Sequence, residues 1–139
     1  MTEYVAGFLF SPDEKQVLLI RKNRPEWQKG MINGIGGHIE PEETSEEAMS
    51  REFLEETGLN ILSWYKGAQL YGNGWIVHFF YTCGFLGDAK SMTDEEVRIY
   101  EINQLPDSII PNLRYLIPIC LDKNLSKPVM MTERTKEPV

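Results

Sequence analysis

Apolar residues in the first part of the chain form short blocks of β-type composition, and turn-forming residues separate the blocks. Tyr4–Phe10 and Gln16–Lys22 are two such blocks, and Ser11-Pro12-Asp13-Glu14 between them is typical of a turn. This pattern predicts a hairpin. The next segment, Asn23–Gly34, is predicted as a loop, although it contains a large aromatic residue, Trp27.

A helical pattern starts after the glycine cluster that ends at Gly37, and it predicts a helix over Ser45–Thr57. Thr44 can cap the first turn together with Glu47 three residues later, which is the spacing of a capping box. Gly58 suits the left-handed position that ends many helices. The predicted helix therefore has a start signal and a stop signal of its own.

The rest of the chain alternates between strand and helix signals. Ile61–Tyr71 and Trp75–Phe85 flank Gly72-Asn73-Gly74, which predicts a second hairpin. Both faces of Trp75–Phe85 are largely apolar, as in a central strand that is covered on both sides. Glu96–Ile102 is predicted as a strand and Asn112–Leu121 as a second helix, which Pro118 should kink or shorten.

The order of elements predicts one α/β domain over residues 1–139, with a mixed β-sheet and helices on both faces. The C-terminal tail, residues 122–139, is mixed in character, and Val129–Thr132 within it can form an edge strand. No internal repeat or interdomain linker interrupts the chain.

Composition excludes several classes of protein. With 42% hydrophobic and 11% aromatic residues, wholesale disorder is not expected. Because no apolar run approaches about 20 residues and Met1-Thr2-Glu3-Tyr4 does not resemble a signal peptide, we expect a cytoplasmic protein without a membrane partner. The absence of a basic stripe argues against duplex nucleic acid. Cys83 and Cys120 lack metal-site spacing and are expected as buried thiols, and both monomer and homodimer remain open.

The negative charge of the chain is concentrated in one segment. Gly37–Leu59 holds eight glutamates and one arginine, which accounts for the whole net charge of −7. On a helix, Glu52, Glu55 and Glu56 at i, i+3 and i+4 lie on one arc, where each like-charge pair costs about 0.2–0.5 kcal/mol. A charge concentrated in this way requires a compensating cation.

Arg51 is the only basic residue of that segment. Glu47 lies four residues before it and Glu55 four residues after it, so we expect Arg51 to hold one or both of them. Glu52 and Glu56 are then left without a basic partner in the helix. Their carboxylates suit Mg²⁺, or Mn²⁺, rather than zinc, and such a cation binds phosphate oxygens. The alternative is a charged helix face that is merely solvated.

The segment has a further pattern: Gly37-His-Ile-Glu-Pro-Glu-Glu43, seven residues, then Arg51-Glu52-Phe53-Leu54-Glu55-Glu56-Thr57-Gly58-Leu59. It resembles the Nudix box, G-x5-E-x7-R-E-U-x-E-E-x-G-U, at every fixed position over residues 37–59. The resemblance identifies the chain as a MutT-like member of the Nudix hydrolase family. It implies an α/β/α sandwich and a Mg²⁺-dependent hydrolase of nucleoside diphosphate derivatives.

The resemblance also implies roles for individual residues. Glu52 and Glu56 would be the principal metal ligands, Glu55 a further ligand or base, and the carbonyl of Gly36 part of the metal shell. Glu96, or failing that Glu95, would supply an acidic ligand from outside the box. The supporting residues of the box are Arg51, which would orient the glutamates, Glu43, which would support the loop, Gly37, which permits its turn, and Gly58.

The substrate is suggested by two segments outside the box. Ile32-Asn33-Gly34-Ile35-Gly36-Gly37 and Ile110–Pro118 are similar to segments of oxidised-purine nucleoside triphosphatases, and the similarity makes Asn33 and Asn112 candidate base contacts. Trp27 can stack on a purine ring, and Arg21 and His38 are candidate phosphate contacts. The predicted activity is hydrolysis of a purine nucleoside triphosphate to the monophosphate and pyrophosphate, and oxidised purines such as 8-oxo-dGTP are among the candidate substrates.

Two other readings stay open. One is a Nudix hydrolase of another nucleoside diphosphate derivative: a nucleotide sugar, ADP-ribose or a dinucleoside polyphosphate. Gly74 stands where ADP-ribose pyrophosphatases tend to carry proline, and Ile76 stands where dinucleoside polyphosphate hydrolases tend to carry tyrosine. The other reading is a non-catalytic module that senses nucleotides, although the box has lost none of its glutamates.

Overall fold

The computed structural model describes residues 1–134, so the last residues of the predicted tail 122–139 lie outside the described part of the chain. Eight strands and two α-helices form within it. The strands are β1 (Thr2–Phe10), β2 (Gln16–Arg21), β3 (Ile32–Asn33), β4 (Ile35–His38), β5 (Tyr65–Gly72), β6 (Trp75–Cys83), β7 (Glu96–Glu101) and β8 (Val129–Thr132). The helices are α1 (Ser45–Thr57) and α2 (Leu113–Leu121), and short 3₁₀ turns cover Glu26–Gln28 and Ile102–Gln104.

Strand β1 organises a single mixed sheet. It runs parallel to β6 from Thr2↔Trp75 to Phe10↔Cys83. On its other side it pairs antiparallel with β4 along its first half and with β2 at its end. Strand β6 pairs antiparallel with β5, β5 pairs parallel with β8, and β7 pairs antiparallel with β2. The predicted mixed sheet is confirmed.

The two faces of the sheet carry separate cores, each under one helix. The core under α1 includes Met49, Phe53 and Trp64, and the rings of Phe53 and Trp64 meet edge to face at 5.1 Å. The core under α2 includes Leu113 and Leu116. A helix over each face of one sheet gives the α/β/α sandwich that the sequence predicted. No helix of residues 1–134 is long and apolar enough to cross a membrane.

Strand β4 was not predicted, because its glycines weaken the β signal of the sequence. It pairs with β1 over Tyr4↔His38 to Gly7↔Ile35 and thereby takes most of the edge that a simple β1–β2 hairpin would use. The β1–β2 pairing is consequently confined to the end of β1, at Leu9↔Leu18 and Phe10↔Val17. A Cβ on Gly36 would lie 1.8 Å from the carbonyl oxygen of Val5, so only glycine allows this approach.

Three further predictions are corrected. Strand β5 begins at Tyr65 rather than Ile61. Helix α2 continues through Pro118 to Leu121, because its apolar face is buried against the sheet. Cys83 is exposed at the end of β6, whereas Cys120 is buried on α2 as expected, and burial raises the pKa of the Cys120 thiol to about 12.

Candidate active site

Helix α1 begins and ends where local sequence signals place it. The hydroxyl of Thr44 accepts the backbone N–H of Glu47 at 3.1 Å, and the Glu47 carboxylate accepts the Thr44 N–H at 2.9 Å. Gly58 closes the helix with a positive φ of 76°. Because Met49 and Phe53 face the core, the register of the helix holds Glu52 and Glu56 half-buried and leaves Glu55 exposed.

Arg51 links the helix to the loop before it. Its guanidinium binds Glu43 through two nitrogens, at 2.7 and 3.0 Å, and donates to the carbonyl oxygen of His38 at 3.0 Å. The pKa of the Glu43 carboxyl is lowered by this pairing. A bidentate arginine–carboxylate pair fixes geometry better than a single contact does. The Glu43–Arg51 pair therefore fixes the loop against the helix.

The structure confirms one predicted partner of Arg51, Glu55, and adds Glu52, which was expected to have no basic partner in the helix. Its Nη1 lies 3.0 Å from Glu52 and 3.4 Å from Glu55, so Glu52 does have a basic partner in the helix. Glu47 is not a partner because the capping box uses its carboxylate. The Arg51 side chain extends toward the loop and contacts the adjacent Glu52. The i, i+4 rule does not include a contact between adjacent residues.

Gly37 brings the loop into contact with the acidic helix. A Cβ built on Gly37 would lie 2.5 Å from Oε1 of Glu52 and 2.9 Å from Oε2. The Glu52 carboxylate thus fills the place where any other residue would carry its side chain. A side chain at this position would displace the Glu52 carboxylate, which lies beside the backbone of Gly37.

The segment before β7 holds the other end of α1. Thr93 donates its hydroxyl to Oε2 of Glu56 at 2.9 Å and accepts the backbone N–H of Glu95 at 3.2 Å. The N–H of Met92 also donates to the carbonyl oxygen of Glu56. Both the side chain and the backbone of Glu56 are therefore positioned by residues outside the helix.

The structure distinguishes between the two candidate ligands from outside the box. Glu95 is buried, pairs with Nζ of Lys22 at 3.1 Å and acts electrostatically on Glu56. Glu96 lies on β7, and its exposed side chain pairs with Arg98 at 3.1 Å. Glu95, the second choice of the sequence analysis, is therefore the acidic side chain that lies close to the helix glutamates.

The electrostatics of α1 fit a cation. Burial, reinforced by neighbouring carboxylates, raises the pKa of both Glu52 and Glu56. Glu56 has a hydroxyl rather than a basic group as its hydrogen-bond partner. The donors are all oxygens, which suits Mg²⁺ or Mn²⁺. Within residues 1–134 no three acidic, imidazole or thiol side chains already converge on one point.

A cleft of about 590 Å³ opens beside the first strands. Its volume is in the range of small-molecule sites. Aromatic, amide and basic side chains line it together with the glycines of β4. The lining residues are Tyr4, Val5, Ala6, Lys22, Arg24, Pro25, Trp27, Gln28, Asn33, Gly34, Gly36, Gly37, His38 and Val77.

The cleft brings together some of the predicted substrate contacts but not all of them. Trp27, Asn33 and His38 line it. Arg21 does not, and its guanidinium instead donates to the carbonyl oxygen of Gly30 at 2.7 Å. Asn112 is buried just before α2, outside the lining, and neither atom of its amide has a hydrogen-bond partner in the described residues.

Sequence reasoning missed four residues that contribute to the site. Lys22 and Arg24 line the cleft at the end of β2, where Arg21 was expected to act. Gln28 lies beside Trp27 and is buried, and Thr93 reaches Glu56 from a distant part of the chain. The usable signal for Lys22, which ends the predicted block Gln16–Lys22, was strand alternation, since it has the opposite parity to Arg21.

Comparison with known proteins agrees with this geometry. The family model of the NUDIX domain matches residues 1–119. An ADP-ribose pyrophosphatase of Methanocaldococcus jannaschii is 31% identical over 105 residues, which is 70% of this chain and 61% of that protein, so the match spans less than two thirds of the relative. The oxidized purine nucleoside triphosphate hydrolase of Mus musculus is 28% identical over 116 residues, 78% of this chain and 74% of that protein.

A solved structure shows the same fold. The NUDIX domain of Shewanella oneidensis NrtR, complexed with ADP ribose, superposes with a TM-score of 0.70 at 17% identity and covers 84% of each chain. At that identity the superposition is evidence for the fold alone. The family model matches most of the chain, including the whole segment of α1 and the loop before it. The chain therefore belongs to the NUDIX domain family.

Proposed function

We propose that this protein is a Mg²⁺-dependent pyrophosphohydrolase that cleaves a purine nucleoside triphosphate to the monophosphate and pyrophosphate. The observation that carries the proposal is the position of Gly37, which lines the cleft and at the same time contacts the carboxylate of Glu52. The acidic helix and the cleft are thus two parts of one site. A polyphosphate that extends from a base in the cleft would pass the glycines toward α1.

In this proposal the metal is held by Glu52, Glu56 and the backbone carbonyl of Gly36, with Glu95 as the acidic group from outside the box. Bound Mg²⁺ supplies neutralisation of the phosphates and a water of lowered pKa. Arg51 and Thr93 hold Glu52 and Glu56 in place. Glu55, the most exposed of the three and in contact with Arg51 only at 3.4 Å, would take the proton of the attacking water.

The remaining residues divide between base and phosphates. Trp27 offers a ring for stacking, and Asn33 offers an amide edge. The segment that contains Asn112 runs beside that of Asn33, since the N–H of Ile110 donates to the carbonyl oxygen of Ile32 at 2.8 Å. A base that reached Asn112 would give its unpartnered amide the hydrogen bonds it lacks. Lys22, Arg24 and His38 supply polar groups for the phosphates.

The chemistry is tested by replacing Glu56 with glutamine. We expect Glu56→Gln to lower Mg²⁺-dependent pyrophosphate release about 10²–10⁴-fold, because the variant loses an anionic ligand while the fold stays intact. Glu42→Gln is the matched control, since Glu42 belongs to the same segment and is exposed. Undiminished turnover by Glu56→Gln would overturn the proposed mechanism.

A second candidate function is supported by the relative from Methanocaldococcus jannaschii, which is named an ADP-ribose pyrophosphatase. The same metal site could cleave a nucleoside diphosphate derivative such as ADP-ribose. A panel of nucleoside triphosphates, ADP-ribose, nucleotide sugars and dinucleoside polyphosphates distinguishes the candidates by product release. Turnover of ADP-ribose far above every triphosphate would favour this second function, and binding without any product would favour a nucleotide-sensing module.

A further inference from the structure

A chain of amide hydrogen bonds crosses the wall of the cleft. The backbone N–H of Gly34 donates to Oδ1 of Asn33 at 2.7 Å. A backbone N–H can only donate, so this bond fixes which end of the Asn33 amide is the oxygen. The other end, Nδ2, donates to Oε1 of Gln28 at 3.1 Å. Both side chains are buried, at 8% and 9% exposure, which makes their alignment costly to change.

These hydrogen bonds also fix the orientation of the Gln28 amide. Rotating its amide by half a turn would set Nε2 against Nδ2 of Asn33, two donors facing each other. Gln28 therefore keeps its oxygen toward Asn33 and has Nε2 at the other end of its amide. Among residues 1–134 the structure gives that nitrogen no acceptor, and Gln28 is part of the cleft lining. The wall next to Trp27 thus offers hydrogen-bond donors.

A donor in this place discriminates between the two classes of purine. A 6-oxopurine presents a carbonyl oxygen at position 6, which accepts a hydrogen bond, whereas a 6-aminopurine presents an amino group, which donates one. Nε2 of Gln28 would donate to the carbonyl oxygen of a 6-oxopurine. Against a 6-aminopurine it would face the amino group, which is another donor. The unpaired donor against a 6-aminopurine contributes more to discrimination than the hydrogen bond to a 6-oxopurine does. A buried polar group without a partner loses its solvation without compensation.

We propose that Gln28 is a specificity-determining residue that donates to a ring carbonyl of the substrate, so that the cleft prefers 6-oxopurine over 6-aminopurine nucleotides. The inference rests on the proposed function to the extent that it takes the cleft as the base site. It does not depend on catalysis, since the preference belongs to binding.

Equilibrium binding of inosine and adenosine monophosphates, followed by calorimetry, tests the proposal. The two ligands differ at position 6 and in the protonation of the adjacent ring nitrogen, and neither contains a bond that the proposed reaction cleaves. We expect the inosine nucleotide to bind the wild-type protein about tenfold more tightly or better. An equal affinity, a preference for the adenosine nucleotide, or no binding of either ligand would overturn the proposal.

Two variants of similar size separate the donor from the shape of the site. Gln28→Glu keeps an oxygen for Asn33 and replaces the donor by an acceptor, so the ratio of the two affinities should reverse. Gln28→Met removes the donor without adding an acceptor, so the ratio should approach one. Thermal unfolding shows whether each variant is folded. If both folded variants keep the wild-type ratio, Gln28 does not read the base.

Turnover of inosine and adenosine triphosphates by the wild-type protein is measured alongside. If neither triphosphate is hydrolysed while the binding preference is intact, the result counts against the proposed function but not against the role of Gln28. If both triphosphates are hydrolysed with equal kcat/KM and the two monophosphates bind equally, the result counts against the role of Gln28 but not against the proposed function.

Discussion

The two helices of the sandwich are held by different forces. Polar contacts define α1: a capping box at Thr44, a left-handed glycine at Gly58 and the Arg51–Glu43 pair that joins it to the preceding loop. Helix α2 has no side-chain cap, contains Pro118, and buries much of its apolar surface in the core on the opposite face of the sheet. Helix α1 is thus specified by its own sequence, whereas α2 depends on the packing around it.

The difference has a functional meaning. The carboxylates proposed to hold the metal lie on the helix whose start and end are set by local signals. Asn112, proposed to contact the base, lies directly before α2, where no hydrogen bond fixes its amide. In this fold the proposed chemistry lies on the helix with its own start and stop signals, and a candidate specificity residue lies directly before the helix that depends on packing.

The largest effect that tests this comparison is expected in the core under α2. Leu116 is fully buried, so Leu116→Ala should lower the free energy of unfolding by about 2–5 kcal/mol. Leu54→Ala on α1 is the matched control, because Leu54 is 45% exposed, and it should change stability by less than about 0.5 kcal/mol. Urea unfolding measures both. A comparable loss in the two variants would contradict the contrast between the helices.

A smaller effect is expected at the two helix starts. Thr44→Ala removes the side chain that accepts the Glu47 N–H and should cost about 1 kcal/mol. Asn112→Ala removes an amide that makes no hydrogen bond, so its cost should stay below about 0.5 kcal/mol. Urea unfolding of the pair compares a helix that needs its cap with one that does not. An equal cost would show that Asn112 stabilises α2 in a way the structure does not reveal.

The difference between local signals at α1 and packing at α2 also affects how well each region can be predicted from the sequence. Helix α1 was predicted to the residue, because Thr44, Glu47 and Gly58 act within a few positions of one another. Helix α2 was predicted over Asn112–Leu121 and lies over Leu113–Leu121, but the local signal of Pro118 was misleading: the proline does not shorten the helix, because burial of its apolar face outweighs that local effect. Strand β4 was missed because the close approach of Gly36 to Val5 exists only once β1 lies beside it.

The site residues also differ in how far local sequence patterns can predict them. The box glutamates could be proposed from the sequence because their spacing is a local pattern. The choice of Glu95 over Glu96 could not be made, since it depends on which residue faces α1 once β7 has paired with β2. Gln28 was missed for a similar reason: its donor is defined by Asn33 and the backbone of Gly34, and a sequence does not show how amides are oriented.

The smallest effect concerns the sheet surface on the α1 side. There, His78 is buried with Nε2 2.8 Å from Oε1 of Glu3 and Nδ1 2.8 Å from Nζ of Lys66. The Lys66 ammonium also donates to Oε1 of Gln69, and Glu46 of α1 acts on it electrostatically. Because Lys66 donates, Nδ1 must accept, and the imidazole is neutral with its proton on Nε2.

Burial, and the charge of Lys66 in addition, lower the pKa of His78 below its ordinary 6.5, although Glu3 opposes the shift. The unfolded chain therefore binds the proton more tightly, so the stability that the neutral imidazole contributes is present above pH 6.5 and is lost as the pH falls through that value toward the lowered pKa. We expect the free energy of unfolding to fall between about pH 7.5 and pH 5.5 more steeply in the wild-type protein than in His78→Gln. Equal slopes would show that His78 takes up its proton equally well in the folded protein, in which case the Lys66 contact does not hold the ring neutral.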